Sequence, residues 1–250
     1  MRFETPAPGD VPGLRRLWRE AFGDPEEFLD AFYAAGFAPA RCRMAVEDGA
    51  LLGAAYWFDS ACRGLKLAYL YGVATAKAFR GRGVCHRLMA DIHGLLRGRG
   101  YAGAVLVPAG GDLAELYRGM GYGFFGGVDT LSCAPGKAVD IHPVDGACYE
   151  RLREAFLPDG GVEQPGASVA FLQTQASLYA GEGFLLAARK EGDALTGLEL
   201  LGDASAAPGI TAALGARKGS FRVPGEDRFA MFLPLQPGVR PPSYFGLAFD

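Results

Sequence analysis

The middle of the chain carries three successive patterns that predict a strand, a turn and a helix. Residues 67–74 are almost continuously apolar, which is typical of a buried strand. After a short polar stretch the spacing becomes that of a helix with one buried face, with apolar residues at Val84, Leu88, Ile92 and Leu95. The connecting stretch is Arg80-Gly81-Arg82-Gly83, a basic glycine-rich turn. We take this strand–turn–helix unit as the centre of the fold.

The flanking sequence predicts both strands and helices. Asp10 is a candidate helix cap, and Leu14, Leu17, Trp18 and Phe22 follow at helical spacing. Further predicted helices cover residues 26–37 and a short segment that Asp112 would cap, ending at Arg118. Alternating or apolar runs predict strands at residues 2–6, 41–46, 52–58, 103–107 and 124–132. This mixture indicates an α/β class with an α+β mixed sheet.

The second half of the chain contains short echoes of the first. Arg19-Glu20-Ala21-Phe22 reappears as Arg153-Glu154-Ala155-Phe156, and Ala50-Leu51-Leu52-Gly53 corresponds to Ala194-Leu195-Thr196-Gly197. Because both matches occur in the same order and in similar predicted contexts, we expect a second, degenerate copy of one fold. Pro135-Gly136 is the predicted boundary, which gives domains of residues 1–135 and 137–250.

The second copy lacks an equivalent of the basic glycine turn. Its candidate helix, residues 206–214, begins near Pro208-Gly209 and has no basic cluster beside it. Strands are predicted after it at residues 220–223, 229–233 and 244–249. The sequence therefore places the chemistry of the protein in its first half.

Composition narrows the class of protein. Half of the 250 residues are hydrophobic and the formal net charge is -3, which fits an ordinary globular protein and gives no signal for nucleic acid. No apolar run approaches the ~20 residues that span a bilayer. Residues 1–6 contain no apolar signal core, so we expect a cytoplasmic protein without a membrane partner.

Cysteine and histidine do not suggest a metal site. The five cysteines are scattered and lack Cys-x-x-Cys spacing, which predicts reduced thiols and no zinc: Cys42, Cys62, Cys85, Cys133 and Cys148. The three histidines lack partners at metal-ligand spacing: His86, His93 and His142. Cys85, at the start of the predicted helix, is an alternative nucleophile because a helix N-terminus lowers a thiol pKa.

The basic turn predicts an anion site. A glycine-rich turn that opens a helix presents unpaired backbone N–H groups and the positive end of the helix dipole. A dinucleotide fold is one rival, but Gly81-x-Gly83-x-x-His86 lacks its third glycine, and the next strand ends in Pro108 without an acid for a ribose. A Walker loop is excluded because no Gly-Lys-Ser/Thr follows.

Two motifs in this region resemble those of the GNAT superfamily of N-acetyltransferases. Arg80-x-x-Gly83-x-Cys85 is similar to the family's Gln/Arg-x-x-Gly-x-Gly/Ala, with a small Cys at the last position. Leu116-Tyr117-Arg118-Gly119-Met120-Gly121-Tyr122 resembles its Leu/Phe-Tyr-x-x-x-Gly-Phe. The resemblance covers residues 1–135 and implies a GNAT fold that binds acetyl-CoA as co-substrate, with no metal.

The resemblance also implies roles for individual residues. A strand end and the turn after it would hold acetyl-CoA, which assigns Val73, Ala74, Thr75, Arg80, Gly81, Arg82, Gly83, Val84, Cys85 and His86 to its binding. A backbone N–H near Val73 would polarise the carbonyl, and Tyr117 would protonate the leaving thiolate. The expected activity is acetyl transfer to a primary amine of unknown identity, with amino acid, polyamine, antibiotic and protein amines all open and a small molecule expected; an acyl-CoA-binding sensor is the alternative. A homodimer is left open.

The general base is the missing part. Ala68 stands where some relatives place a glutamate, and Glu47, Asp59 and Asp129 are acids near the predicted sheet. The chain ends in Tyr244-Phe245-Gly246-Leu247-Ala248-Phe249-Asp250, which is apolar enough to be docked rather than frayed. Docking would bring the two carboxylates of Asp250 to a fixed place, as a base in the site or as the solvated end of a last strand. A base acting through water, or none, is the remaining alternative.

Overall fold

The computed structural model describes residues 1–249 and builds them around one mixed sheet of eleven strands. The strand order is β1-β2-β3-β4-β5-β11-β10-β9-β8-β7, and β6 pairs with β11. The strands are β1 Arg2–Glu4, β2 Cys42–Glu47, β3 Ala50–Cys62, β4 Leu65–Thr75, β5 Gly103–Leu106, β6 Gly123–Cys133, β7 Ile141–Pro143, β8 Ser177–Gly181, β9 Phe184–Glu191, β10 Ala194–Gly202 and β11 Lys218–Pro234. The predicted α/β class with a mixed sheet is confirmed.

Seven α-helices lie on the two faces of this sheet in the described residues. They are α1 Val11–Phe22, α2 Glu26–Ala31, α3 Val84–Gly98, α4 Gly111–Arg118, α5 Gly146–Phe156, α6 Ala167–Gln175 and α7 Ala207–Ala213. The helix predicted over residues 26–37 is shorter as an α-helix, because it widens into a π-helical turn, Phe32–Gly36, that buries Phe32. The predicted cap at Asp112 is wrong: Gly110 is the N-cap of α4.

The two halves of the chain follow the same strand directions. Strands β1 to β4 pair antiparallel in sequence, and β4 pairs parallel with β5. Strands β7 to β10 likewise pair antiparallel, and β10 pairs parallel with β11. Two helices separate β1 from β2 and β7 from β8, and one helix separates each parallel pair.

Strand β11 joins the two halves into one sheet. Its first part, residues 218–221, pairs parallel with β10, and residues 231–234 pair antiparallel with β5. Strand β6 runs antiparallel along nearly the whole of β11, with a register shift between Pro224 and Arg228. The strands predicted separately at residues 220–223 and 229–233 are therefore one continuous strand, which bends rather than ends at Pro224-Gly225.

The core is divided by the sheet. Helix α3 covers one face through Val84, Leu88 and Ile92. The other face is covered by three aromatic residues: Trp18 of α1, Phe32 of the π-helical turn and Phe171 of α6. This second face is unusually aromatic, and it runs without a break from the first half of the chain into the second. Burial of these large side chains supplies much of the stabilisation, at about 1.5–3 kcal/mol for each.

The C-terminal segment is docked, as its composition predicts, but it is not a strand. Apart from one isolated bridge between Gly161 and Tyr244, residues 244–249 have no ladder partner. Their apolar side chains are nevertheless at most 8% exposed. The strand prediction for residues 244–249 is wrong because side-chain contacts, not backbone pairing, hold this segment. Asp250 itself lies outside the described residues.

Candidate active site

A wedge opens in the sheet where β4 and β5 part. The two strands pair only from Leu67 opposite Gly103 to Tyr69 opposite Val105. Strand β4 continues to Thr75 along β3 alone. The edge of residues 70–75 that faces the wedge therefore has no ladder with β5, which leaves backbone N–H and C=O groups for an extended ligand.

A bulge on β4 lies inside this wedge. Ala54 pairs with Ala74 but Tyr56 pairs with Tyr71, so Gly72 and Val73 of β4 stand opposite the single residue Ala55 of β3. Gly72 has φ +58, and an added Cβ would lie 2.7 Å from the Trp18 ring. Glycine is thus needed here both for its left-handed backbone and for the close approach of Trp18. The sequence analysis did not predict this contact. The helical spacing that puts Trp18 on the buried face of α1 is the one sequence signal that could have suggested it.

The basic glycine turn borders the same wedge. Gly81 and Gly83 have φ of +74 and +69, and a Cβ at either position would meet no atom within 4 Å. Gly83 is the N-cap of α3, and no side chain caps this helix within residues 1–249. The first turn of the helix thus lacks a side-chain cap and begins beside open space, and its free N–H groups and the positive end of the helix dipole suit a phosphate.

Four cations surround the turn: Lys77, Arg80, Arg82 and Arg87. All four are exposed, and none forms a salt bridge in the part of the chain that the structure describes. Arg80 Nε donates to Thr75 O at 3.2 Å, and Arg87 Nη2 donates to Arg82 O at 3.0 Å, so two of them also brace the turn. Although the whole chain has a net charge of -3, cations outnumber the nearby acids Glu20 and Glu47 at this edge.

The residues that the sequence analysis assigned to ligand binding lie on two adjoining segments. Val73, Ala74 and Thr75 form the end of β4, and residues 80–86 form the turn and the first residues of α3. Ala74 and Val84 are buried, so they offer a ligand their backbone rather than their side chains. The structure thus brings these ten residues to one edge of the sheet, while their roles stay predictions.

Tyr117 lies near the start of α3, on α4. Its side chain is buried, and burial, with a smaller contribution from nearby Cys85, raises the pKa of its hydroxyl well above the usual value. The hydroxyl is therefore protonated at neutral pH, the form that a general acid needs. Burial also raises the pKa of the Cys85 thiol to about 11, opposite to what a nucleophilic thiolate requires.

A second tyrosine, which the sequence analysis did not assign, supports Tyr117. The Tyr117 and Tyr122 rings lie 5.8 Å apart at 64°. The Tyr122 hydroxyl forms a buried hydrogen bond of 2.8 Å with His93 Nε2 on α3. Burial, with a smaller effect from Arg97, lowers the pKa of His93 to about 4, so this imidazole is neutral and ties α3 to the Tyr117 region.

The acids considered as general bases are engaged elsewhere. Glu47 accepts from the N-terminal amine at 2.7 Å, and Asp129 accepts from the backbone N–H of Glu226 at 2.9 Å. Asp59 accepts hydrogen bonds from Tyr101 and Arg41 and pairs with Ala68, at the closed end of the wedge. None of these three contacts places a carboxylate at the bulge of β4.

Residues 2–125 match the family model described as "Acetyltransferase (GNAT) domain". No curated protein matches the sequence. A GCN5-related N-acetyltransferase from Kribbella flavida superposes with a TM-score of 0.72 at 20% identity, over 92% of this chain and 70% of that chain. A putative acetyltransferase from Pyrococcus horikoshii has a TM-score of 0.66 at 14% identity, over 98% and 92%.

A third similar structure is Eis1 from Mycobacterium abscessus, with a TM-score of 0.69 at 13% identity, over 94% of this chain and 74% of that chain. At these identities the structural likenesses establish the fold alone. The family model covers residues 2–125 of the 250, so the match to a GNAT acetyltransferase domain concerns that stretch, and the solved structures add the fold. In residues 1–249 no helix is both long and apolar enough to cross a bilayer.

The buried His93 predicts a loss of stability in mild acid. Its pKa is about 4 when folded and 6.5 when exposed, so between these values the unfolded chain binds more protons. The free energy of unfolding should therefore fall by about 2 kcal/mol from this group between pH 7.5 and pH 5. Urea unfolding of the wild type and of His93→Gln at both pH values measures it. An equal fall in both proteins would contradict the prediction.

Proposed function

We propose that this chain, whose residues 2–125 form a GNAT acetyltransferase domain, moves an acetyl group from acetyl-CoA to a primary amine of a small molecule. The observation that carries the proposal is the wedge between β4 and β5, which opens beside the uncapped, glycine-rich start of α3. An unpaired strand edge next to a phosphate-sized anion site suits a ligand with an amide-bearing arm and a pyrophosphate. Acetyl-CoA has both.

The residues around the wedge have separate roles in binding and catalysis. The N–H groups of residues 83–86 hold the pyrophosphate, while Arg80 and Arg82 add positive charge. The backbone of residues 73–75 pairs with the pantetheine arm, and an N–H at the Val73 bulge polarises the thioester carbonyl. Tyr117, kept protonated by burial, gives its proton to the leaving thiolate.

The general base in this proposal is a carboxylate of Asp250. The preceding residue, Phe249, packs against Tyr69 and Tyr71 on β4, and Tyr71 directly precedes the bulge. A carboxylate held in apolar surroundings would have a raised pKa, which suits it to take a proton from an amine near neutral pH. A water-mediated base is the alternative role assignment.

The second half is, in this proposal, a degenerate GNAT-like domain of residues 137–250 that has lost acetyl-CoA binding. The shared order of strand directions and helix positions supports it. So does α7, Ala207–Ala213, which is only seven residues long and follows the neutral stretch Ala204–Ala206. One acetyl-CoA should therefore bind per chain. Cytoplasmic location and a homodimer stay predictions from the sequence.

A sensor that binds an acyl-CoA without turnover is the second candidate. The face of β4 opposite α3 is packed with aromatic side chains, which leaves an acceptor little room. A thiol-release assay with acetyl-CoA against a panel of amines separates the two functions, because only an enzyme releases CoA. A parallel titration with NAD tests the dinucleotide alternative, which predicts binding of NAD in place of CoA.

Gly83→Glu should abolish acetyl-CoA binding without unfolding the chain. A carboxylate at this position would occupy the pyrophosphate site and repel it, so we expect the Kd to rise by at least about 100-fold, about 2.7 kcal/mol. Calorimetric titration measures the Kd and the single site per chain. The matched control is Gly192→Glu, which has a similar φ of +58 and open surroundings in a remote hairpin. Unchanged affinity in a folded Gly83→Glu would refute the assignment.

Tyr117→Phe should lower turnover by about 100-fold or more, because it removes the acid and keeps the ring. Affinity for acetyl-CoA should change little, since the hydroxyl acts on the leaving sulfur. Tyr122→Phe is the control: it removes a hydroxyl from the same buried cluster but not from the wedge. Steady-state rates with any amine found in the panel give the comparison. Equal rates for wild type and Tyr117→Phe would leave Tyr117 a packing residue.

Asp250 is tested by changing its two carboxylates separately. Asp250→Asn removes the side-chain charge, and a short Gly/Ser extension moves the terminal carboxylate away. If either group is the base, one of these proteins should lose turnover at pH 7 while its affinity for acetyl-CoA stays the same. Full activity in both proteins would rule out a carboxylate of Asp250 as the base.

A further inference from the structure

The second half of the sheet contains a wedge of its own. Strands β10 and β11 pair only from Ala194 opposite Lys218 to Gly197 opposite Phe221. A register shift between Gly197 and Glu199 puts a bulge at Leu198, after which β10 follows β9 and β11 follows β6. This resembles the arrangement of β4 and β5, a parallel pair that parts close to a bulge.

The C-terminal segment, residues 244–249, contacts both arms of this second wedge. The Tyr244 hydroxyl donates to Glu199 Oε1 on the β10 arm at 3.1 Å. Arg222, on the β11 arm, donates from Nη1 to Gly246 O at 3.0 Å. Gln164 adds a third tie, from Nε2 to Leu247 O at 2.8 Å. The chain's own terminal segment thus contacts side chains on both arms of the second wedge.

A buried ion pair supports these hydrogen bonds. Glu199 is fully buried and accepts two hydrogen bonds from Arg153, at 2.7 and 2.9 Å. Arg153 also donates to Val162 O at 3.0 Å, and Val162 N in turn donates to Tyr244 O at 2.9 Å. Because a buried carboxylate is costly unless all its partners are present, Tyr244 has a fixed place in this network.

The held segment ends against the first half of the chain. The Phe249 ring lies 5.0 Å from Phe58 and 5.1 Å from Phe171, both nearly perpendicular to it. It also lies 5.7 Å from Tyr69 and 5.9 Å from Tyr71, on the face of β4 away from α3. Phe249 is thus fixed beside the last residue before the β4 bulge.

We propose that the second wedge is a clamp for the C-terminal segment, and that the clamped Phe249 is a wall of the acceptor site. Helices α3 and α4 cover the other face of the bulge, so in this proposal the acceptor lies on the face that carries Phe249, where closely packed aromatic side chains leave only a narrow space. The acceptor class is then a slim amine with an apolar body. Phe249 determines specificity, and Gln164, Tyr244 and Arg222 are positioning residues. The acceptor role rests on the proposed function; the clamp does not.

Hydrogen–deuterium exchange of the peptide that contains residues 244–249 tests the clamp without any substrate. Gln164→Leu and Tyr244→Phe each remove one tie and should speed its exchange by about 10-fold. The control, Ile210→Ala, opens a cavity in the separate core under α7 and should leave this peptide's exchange unchanged. No change in the first two variants, or an equal change in the control, would overturn the clamp.

A series of primary amines of increasing width tests the wall. In Phe249→Ala, kcat/KM should rise by about 10-fold for branched or fused-ring amines and fall for slim ones, while the Kd for CoA stays the same. Gln164→Leu should shift the profile in the same direction, and Ile210→Ala should not. If the kcat/KM values across the amine series are unchanged in Phe249→Ala, Phe249 is not a wall of the acceptor site. If the wild type acetylates no amine, the proposed role of Phe249 is rejected together with the proposed function. The exchange experiment then still tests whether the second wedge holds residues 244–249.

Discussion

The pairing of β11 with three other strands is the constraint on which this structure depends. Residues 218–221 complete the sheet of the second half, and residues 231–234 complete that of the first. Strand β6 binds both parts together. Because β5 receives its outer neighbour from a segment more than a hundred residues later, the first wedge has a rigid second arm only when the whole chain is folded. The predicted division near Pro135-Gly136 therefore separates two stretches of sequence that share one sheet.

Two wedges in this sheet meet the same physical demand in different ways. A parallel pair that parts at a bulge leaves backbone groups without strand partners, and such groups are costly when buried. At β10 the tail hydrogen-bonds to a side chain of the wedge, and the Arg153–Glu199 pair is buried beside it. At β4 it leaves the edge open, beside glycines and unpaired cations. Of the two wedges in residues 1–249, the first combines open backbone, room for a phosphate and positive charge, which is why we place the chemistry there.

The face of the sheet away from α3 links the two wedges. Its aromatic side chains pack continuously from Trp18, which touches Gly72 at the bulge, to Phe171 and Phe249. The second half thereby contributes side chains to the face of the sheet on which an acceptor would bind. Within residues 1–249 it has no basic glycine turn like that of residues 80–83. Buried groups on the α3 face, Tyr117, Tyr122 and His93, are held in their neutral forms by burial, so that side of the wedge supplies a proton donor rather than charge.

The sequence by itself determined the features that depend on neighbouring residues. The strand, the turn Arg80–Gly83 and helix α3 follow from apolar spacing and glycine. This turn and the motif around Tyr117 together indicated the domain that the family model matches over residues 2–125. Only the tertiary structure decided which distant segments meet. The continuity of β11, the burial of Glu199 with Arg153 and the irregular docking of residues 244–249 depend on pairings that no local pattern encodes. An apolar tail predicts burial, but a strand pattern cannot tell a ladder from a segment held by side chains.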